Sequence, residues 1–155
     1  MAALDEIEAI KRLKYKYLRC LDTKSWAELA ECFTEDAIST YDSGKYTFEG
    51  RDQIIGFLEK ALGPPSMITL HQVHHPEIEL TSATTATGTW YLEDMVIDTR
   101  SNTTLRGASF YHDEYVKEGG AWKLKSTGYE RTFEEVQDRA ETPSLKITKS
   151  MFPPE

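Results

Sequence analysis

The sequence predicts one α+β domain, on three observations: helical periodicity fills the N-terminal third, strand-like segments follow from Met67 onward, and no linker, repeat or low-complexity tract divides the 155 residues. Helices first and a run of antiparallel strands afterwards is the order of an α+β fold. A chain of this length buries about 70% of its unfolded surface, enough to enclose a modest cavity.

The first element is DEIEAIKRLKYKYLRCL, which sets Ile7, Ile10, Leu13, Tyr17 and Leu21 at helical spacing and leaves lysines and arginines to the other face. A break at Asp22-Thr23 precedes SWAELAECF, where Ser25 and Glu28 form a capping-box pattern ahead of a second, shorter helix. The segment AISTYDSGKYTFEG reads as a hairpin around Ser43-Gly44, and Asp52 to Leu62 resumes a helical period that Gly63-Pro64-Pro65 ends. Strand signals follow in MITLHQVHH, EIEL, TTATGTWYLEDMVID, TLRGASFYHDEYV and AWKLKSTGYER, with Gly119-Gly120 marking a turn. Residues 132–155 begin with a short acidic helical pattern and end polar and proline-bearing, an extension expected to pack on the domain or on a neighbouring subunit.

Composition excludes several classes. The net charge of −8 comes without a basic cluster, which argues against nucleic acid and anionic membranes as partners. No apolar run approaches a membrane span and the N-terminus lacks a signal-peptide pattern, so a cytoplasmic location is expected. Cys20 and Cys32 stand outside any CxxC spacing and read as reduced thiols. His71, His74 and His75 carry no HExxH or Cys company, and on a strand His74 points away from the other two, so no metal is expected. GxGxxG, P-loop and GxSxG patterns are absent, which removes support for nucleotide cofactors and serine-hydrolase chemistry.

The candidate chemistry lies in a strand pair. With a two-residue loop at Ser82-Ala83, cross-strand partners sum to 165, which sets His71 directly opposite Asp94 on one sheet face. Asp94 alternates with Gly88, Trp90, Leu92 and Val96, so it is a lone acid on an apolar face. A buried carboxylate needs a partner, and a His–Asp pair fixes the imidazole tautomer for general-base work; a satisfied core pair is the alternative. Ser-Ala is not a favoured turn, and Pro76 invites a bulge that shifts the register by one.

Tyr17, on the buried stripe, is a candidate donor to a ligand carbonyl or else a core tyrosine bonded to backbone. Asp22 follows the helix C-terminus, where the dipole disfavours an acid, and Arg131 is a candidate cationic partner for it. Strict alternation from Trp122 and Leu124 turns Arg131 outward with Lys123 and Lys125, unless a kink at Gly128 reverses it.

The segments YLRCLDTKSW, TYDSGKYTF, TLHQVHHPEIEL, TTATGTWYLED and GASFYHDEYVKEGGAWKLKSTGYER together resemble the bacterial bile-acid 7α-dehydratases, of the SnoaL-like branch of the NTF2-like superfamily. The resemblance runs from about Ile7 to Met151. It implies a curved antiparallel sheet and three helices forming a cone around a steroid-sized cavity, no metal or organic cofactor, and a homotrimer. Its functional positions fall on Tyr17, Asp22, His71, Asp94 and Arg131, which draws Arg131 into the site. It further implies dehydration of a 7α-hydroxy-3-oxo-Δ4 steroid or bile-acid derivative, free or as a coenzyme A thioester, through an enolate. Here Tyr17 would serve as donor, His71 as base, Asp94 as its orienting partner, and Asp22 with Arg131 as a supporting ion pair. Departures at LHQVHH and in DTRSNTTLRG bear on the ligand. Isomerase-like or cyclase-like enolate chemistry, and a non-catalytic binding or assembly role, are the alternatives.

Overall fold

The computed structural model describes residues 2–153. The chain runs α1 (Ala2–Asp22), α2 (Trp26–Ala30), β1 (Phe33–Tyr41), β2 (Tyr46–Glu49), α3 (Arg51–Leu62), then β3 (Met67–Leu80), β4 (Thr85–Asp98), β5 (Thr103–Glu118) and β6 (Ala121–Asp138). The strands form one six-stranded sheet in the order β2-β1-β6-β5-β4-β3. This is the expected α+β cone with one correction: β1 runs parallel to β6, so the sheet is mixed rather than wholly antiparallel. The chain between β1 and β6, which runs through β2, α3 and strands β3 to β5, is far longer than the crossover that a parallel pair requires.

The helices pack against the inner face of the curved sheet, and the core between them includes Ile10, Tyr17, Leu21, Leu29, Ile54 and Trp90. Among the described residues, no helix is long and apolar enough to cross a membrane. Three local expectations change. Ser25 makes no side-chain cap; Glu28 is held by Arg19 instead, with Nη2 to Oε1 at 2.6 Å. Lys14 departs from the basic outer face of α1 and is fully buried.

The acidic stretch after Arg131 is strand, not helix: Ala108 pairs with Phe133 and Leu105 with Val136, and only Arg139–Glu141 forms a 3-10 turn. The three-residue spacing of Phe133 and Val136 imitates a helical stripe, but the edge of β5 that faces away from β4 supplies a ladder that overrides local propensity. Beyond it the chain packs back on the domain, where the Lys24 ammonium lies over the Phe152 ring, 4.8 Å from its centroid.

Candidate active site

The β3–β4 register places His71 opposite Asp94, as the residue count requires, but by a different route. The reversal is wider than two residues and pairs Leu80 with Ala86. A bulge at His75-Pro76, with His75 at φ +48°, then restores the register before His71. The two departures cancel. Both side chains line a cavity of about 380 Å³ enclosed between α1, α3 and the inner sheet face.

The bonding of these residues differs from the expected pairing. His71 Nδ1 donates to Asp22 Oδ1 at 2.7 Å, and the His71 backbone N–H donates to Asp22 Oδ2 at 2.9 Å. Thr69 Oγ1 adds a third donor to Asp22 at 2.7 Å. These donors compensate an acid at the C-terminal end of α1, where the helix dipole disfavours it. With a carboxylate as acceptor, Nδ1 carries the proton and Nε2 presents its lone pair, the arrangement of a general base. The side chains of His71 and Asp22 are 9% and 23% exposed, so the dyad borders the cavity without being flooded by solvent.

Asp94 is bound instead by Arg131 in a two-pronged ion pair, with Nη2 to Oδ2 at 2.9 Å and Nη1 to Oδ1 closing the second prong. Arg131 thus partners Asp94 rather than Asp22, and Asp94 does not orient the histidine. Arg131 reaches inward because of bulges, not because of Gly128. Tyr115 pairs with Leu124 but Glu114 with Ser126, so the extra residue Lys125 flips the alternation and turns Thr127, Tyr129 and Arg131 inward. A second extra residue, Thr132, flips it back.

Gly107 lies between Arg131 and Asp94. It faces Asp94 across the β4–β5 ladder, and a Cβ there would meet the Phe133 carbonyl oxygen at 2.9 Å and Arg131 Cζ at 3.1 Å. Only glycine leaves the guanidinium this path. The shared hydrogen bonds and charge of Asp94 hold the Arg131 guanidinium above its ordinary pKa against the opposing effect of burial.

Tyr17 is fully buried and lines the cavity, and its hydroxyl, although it lies near those of Tyr41 and Tyr111, makes no well-formed hydrogen bond. Tyr41, at the end of β1, is in the same condition. Burial drives the Tyr17 phenol well above its ordinary pKa, reinforced by the neighbouring Tyr111 and Tyr41; burial pushes Tyr41 up to about 12. Both are neutral donors at physiological pH. An unpaired buried hydroxyl forfeits about 1–3 kcal/mol, so two on one cavity wall mark where a polar ligand atom would be received. Sequence reasoning missed Tyr41; Ser39 and Tyr41 are both buried on β1, a period-2 signal that would have found it. It also missed Tyr111 and Tyr129, which face each other across the β5–β6 ladder.

Among the described residues there is no group of three or more His, Cys, Asp or Glu placed to hold a metal ion. The remaining lining is chiefly aliphatic and aromatic, with Leu21, Phe57, Leu58, Leu92 and Val96 prominent, and Asp42, Lys45 and Glu134 also line it.

The cone-shaped α+β domain thus gathers, around one largely apolar cavity, a His–Asp dyad, a buried ion pair and tyrosine hydroxyls, groups that can give and take protons. The chain belongs to the SnoaL-like domain family, whose model matches residues 2–128. Its fold is shared with a candidate scytalone dehydratase of Novosphingobium aromaticivorans, at 28% identity and a TM-score of 0.80 over 86% of this chain and 88% of that one. A type 2 hexachlorocyclohexane dehydrochlorinase (LinA) is similar at 22% identity and a TM-score of 0.79, over 87% and 90% of the two chains. The ActVI-ORFA protein of Streptomyces coelicolor is similar at 18% identity and a TM-score of 0.70, over 83% and 98%.

Proposed function

We propose that the protein is a cofactor-independent hydro-lyase that removes water from a 7α-hydroxy-3-oxo-Δ4 steroid or bile-acid derivative. The observation that supports this most strongly is the pairing, in one apolar cavity, of an imidazole oriented by Asp22 with tyrosine hydroxyls that have no partner of their own. A base and an unoccupied donor are what an elimination through an enolate requires.

In this reading the 3-ketone accepts a hydrogen bond from Tyr17, assisted by Tyr41, and the conjugated C6 proton becomes acidic. His71 Nε2 takes that proton, and the C6–H electron pair moves through the double bonds to the C3 oxygen. The resulting imidazolium, stabilised by Asp22, then protonates the departing 7-hydroxyl. The electrons return from the dienolate oxygen, the C7–O bond breaks, and the products are water and a 4,6-diene-3-one. Proton and electron counts balance without a cofactor. Asp94 and Arg131 hold the cavity wall beside His71 and keep a charged pair there without offering the ligand a free charge.

The similarity to a candidate scytalone dehydratase favours elimination of water over isomerisation. The second reading, cyclase-type enolate chemistry, draws on the fold shared with ActVI-ORFA. Assembly as a homotrimer in the cytoplasm belongs to the same proposal, as does acceptance of the substrate free or as a coenzyme A thioester. The outer sheet face gives the trimer some support, since Leu70, Tyr91 and Phe133 are exposed there.

The test is incubation of the purified protein with a 7α-hydroxy-3-oxo-Δ4 steroid while the ultraviolet spectrum is followed. Extended conjugation shifts the absorption to longer wavelength. No shift with the wild-type protein rejects the steroid assignment, and a shift that persists undiminished in His71→Ala rejects His71 as the base.

A further inference from the structure

Behind the tyrosine wall lies a second buried charge pair. Lys14 on α1 and Asp113 on β5 both have fully buried side chains, with Lys14 Nζ 2.8 Å from Asp113 Oδ2. The carboxylate is richly satisfied: Tyr115 donates to it at 2.6 Å, Thr127 donates at 2.6 Å, and Trp90 Nε1 donates in turn to the Tyr115 hydroxyl at 2.9 Å. The ammonium is not. It has no aligned hydrogen bond, and its other close neighbours are two aromatic faces, Tyr111 at 3.4 Å and Tyr17 at 4.9 Å from the ring centroids.

Burying an ion pair this completely is a poor way to stabilise a fold, because desolvation offsets most of the attraction and apolar residues of similar volume do as well or better. The charge therefore calls for another role, and its position supplies one. Tyr111 and Tyr17 meet edge to face, with centroids 6.4 Å apart, and both line the cavity, which Lys14 does not reach. A cation held over the ring of a phenol draws electron density from it and makes its hydroxyl a stronger hydrogen-bond donor, most effectively where water is excluded.

We propose that Lys14, held by Asp113, is a positioning residue whose fixed charge beneath Tyr17 and Tyr111 strengthens Tyr17 as donor to a developing oxyanion in the cavity. Lys14 touches no ligand itself; it acts through the tyrosine rings. The proposal rests on the reading of Tyr17 as the donor to a ligand oxygen, and not on the ligand being a steroid.

The test uses fluorinated phenols of graded acidity, which present a hydroxyl or oxyanion to the cavity whatever the natural substrate. Affinity for the full-length wild-type protein is expected to rise with phenol acidity. In Lys14→Met/Asp113→Asn, which removes both charges and leaves no buried ion unpaired, that slope should flatten and the affinity for the most acidic phenol should fall roughly tenfold. Lys14→Gln/Asp113→Asn, which keeps an amide hydrogen bond across the pair, is the second neutral variant and should behave alike. Loss of packing alone would weaken all the phenols equally and leave the slope in place.

An unchanged slope in a folded neutral variant overturns the proposal, and so does a wild-type protein that binds the phenols without preference or not at all. Steroid dehydration is a separate readout: its absence beside a charge-dependent phenol slope rejects the substrate and leaves Lys14 in its role. With turnover in hand, the neutral variants should lower kcat roughly tenfold and leave KM nearly unchanged.

Discussion

Replacing Arg131 by methionine is expected to destabilise the protein far more than a surface arginine would. Asp94 is 5% exposed, the Arg131 side chain 14%, and the two-pronged pair is the carboxylate's whole hydrogen bonding. Removing one partner of such a pair costs about 3–5 kcal/mol, and the residual exposure of Arg131 favours the lower end, about 3 kcal/mol. For a chain of this size that is a fall in Tm of roughly 6–12 °C. Arg131→Met/Asp94→Leu, which removes both charges, should recover most of the loss, because the penalty is the orphaned carboxylate and not the missing attraction. Urea unfolding followed by tryptophan fluorescence measures each arm of the cycle. A single variant that loses less than about 1 kcal/mol, or a double variant as unstable as the single, would refute the reasoning.

Gly107→Ala should reproduce the single variant, since the added methyl takes the space that Arg131 crosses; normal stability in that protein would show that the guanidinium has another route. Tyr17→Phe should leave stability unchanged or slightly raised, because the lost hydroxyl has no partner, while turnover falls about 10²–10³-fold as for removal of one oxyanion donor; equal losses in both would make Tyr17 a structural residue. Alkaline stability carries a definite sign. Burial raises Tyr17, Tyr41, Tyr111, Tyr115 and Tyr129 above the ordinary phenol value of 10.0. The folded state therefore holds those protons more tightly than the unfolded chain. That contribution is fully present below pH 10 and is lost as pH rises through the folded values, about 12 for Tyr41. Lys14, lowered by burial, opposes this on its own. Urea midpoints should fall above pH 10, and Tyr41→Phe should flatten the fall; a rising midpoint would contradict the assignment.

Much of this was legible in the sequence where a residue answers to its nearest neighbours. The α1 stripe placed Tyr17 inside, and alternation along β4 placed Asp94 inside, because each pattern is local and uninterrupted. The facing of His71 and Asp94 followed from counting, although the turn and the bulge at Pro76 each moved the register by one in opposite directions. What failed was partner choice and long-range pairing. Asp22 and Asp94 exchanged their expected partners, His71 going to Asp22 and Arg131 to Asp94, because the Lys125 bulge and the space above Gly107 are settled only when β5 and β6 meet. The strand over 132–138 was hidden for the same reason, since its acidic composition favours other structure until β5 offers a ladder. Lys14 was missed because a lysine on a helix is ordinarily solvated, yet Asp113, an acid flanked at two-residue spacing by Tyr111 and Tyr115, carried the same signal that singled out Asp94.

The central claim is that His71 is a base oriented by Asp22 and not by Asp94, and nitrogen-15 NMR of the histidine ring reads it without any substrate. The account predicts that the neutral ring carries its proton on Nδ1, a tautomer lost in Asp22→Asn and retained in Asp94→Asn. A proton on Nε2 in the wild-type protein, or a tautomer that ignores Asp22→Asn and responds to Asp94→Asn, would contradict it.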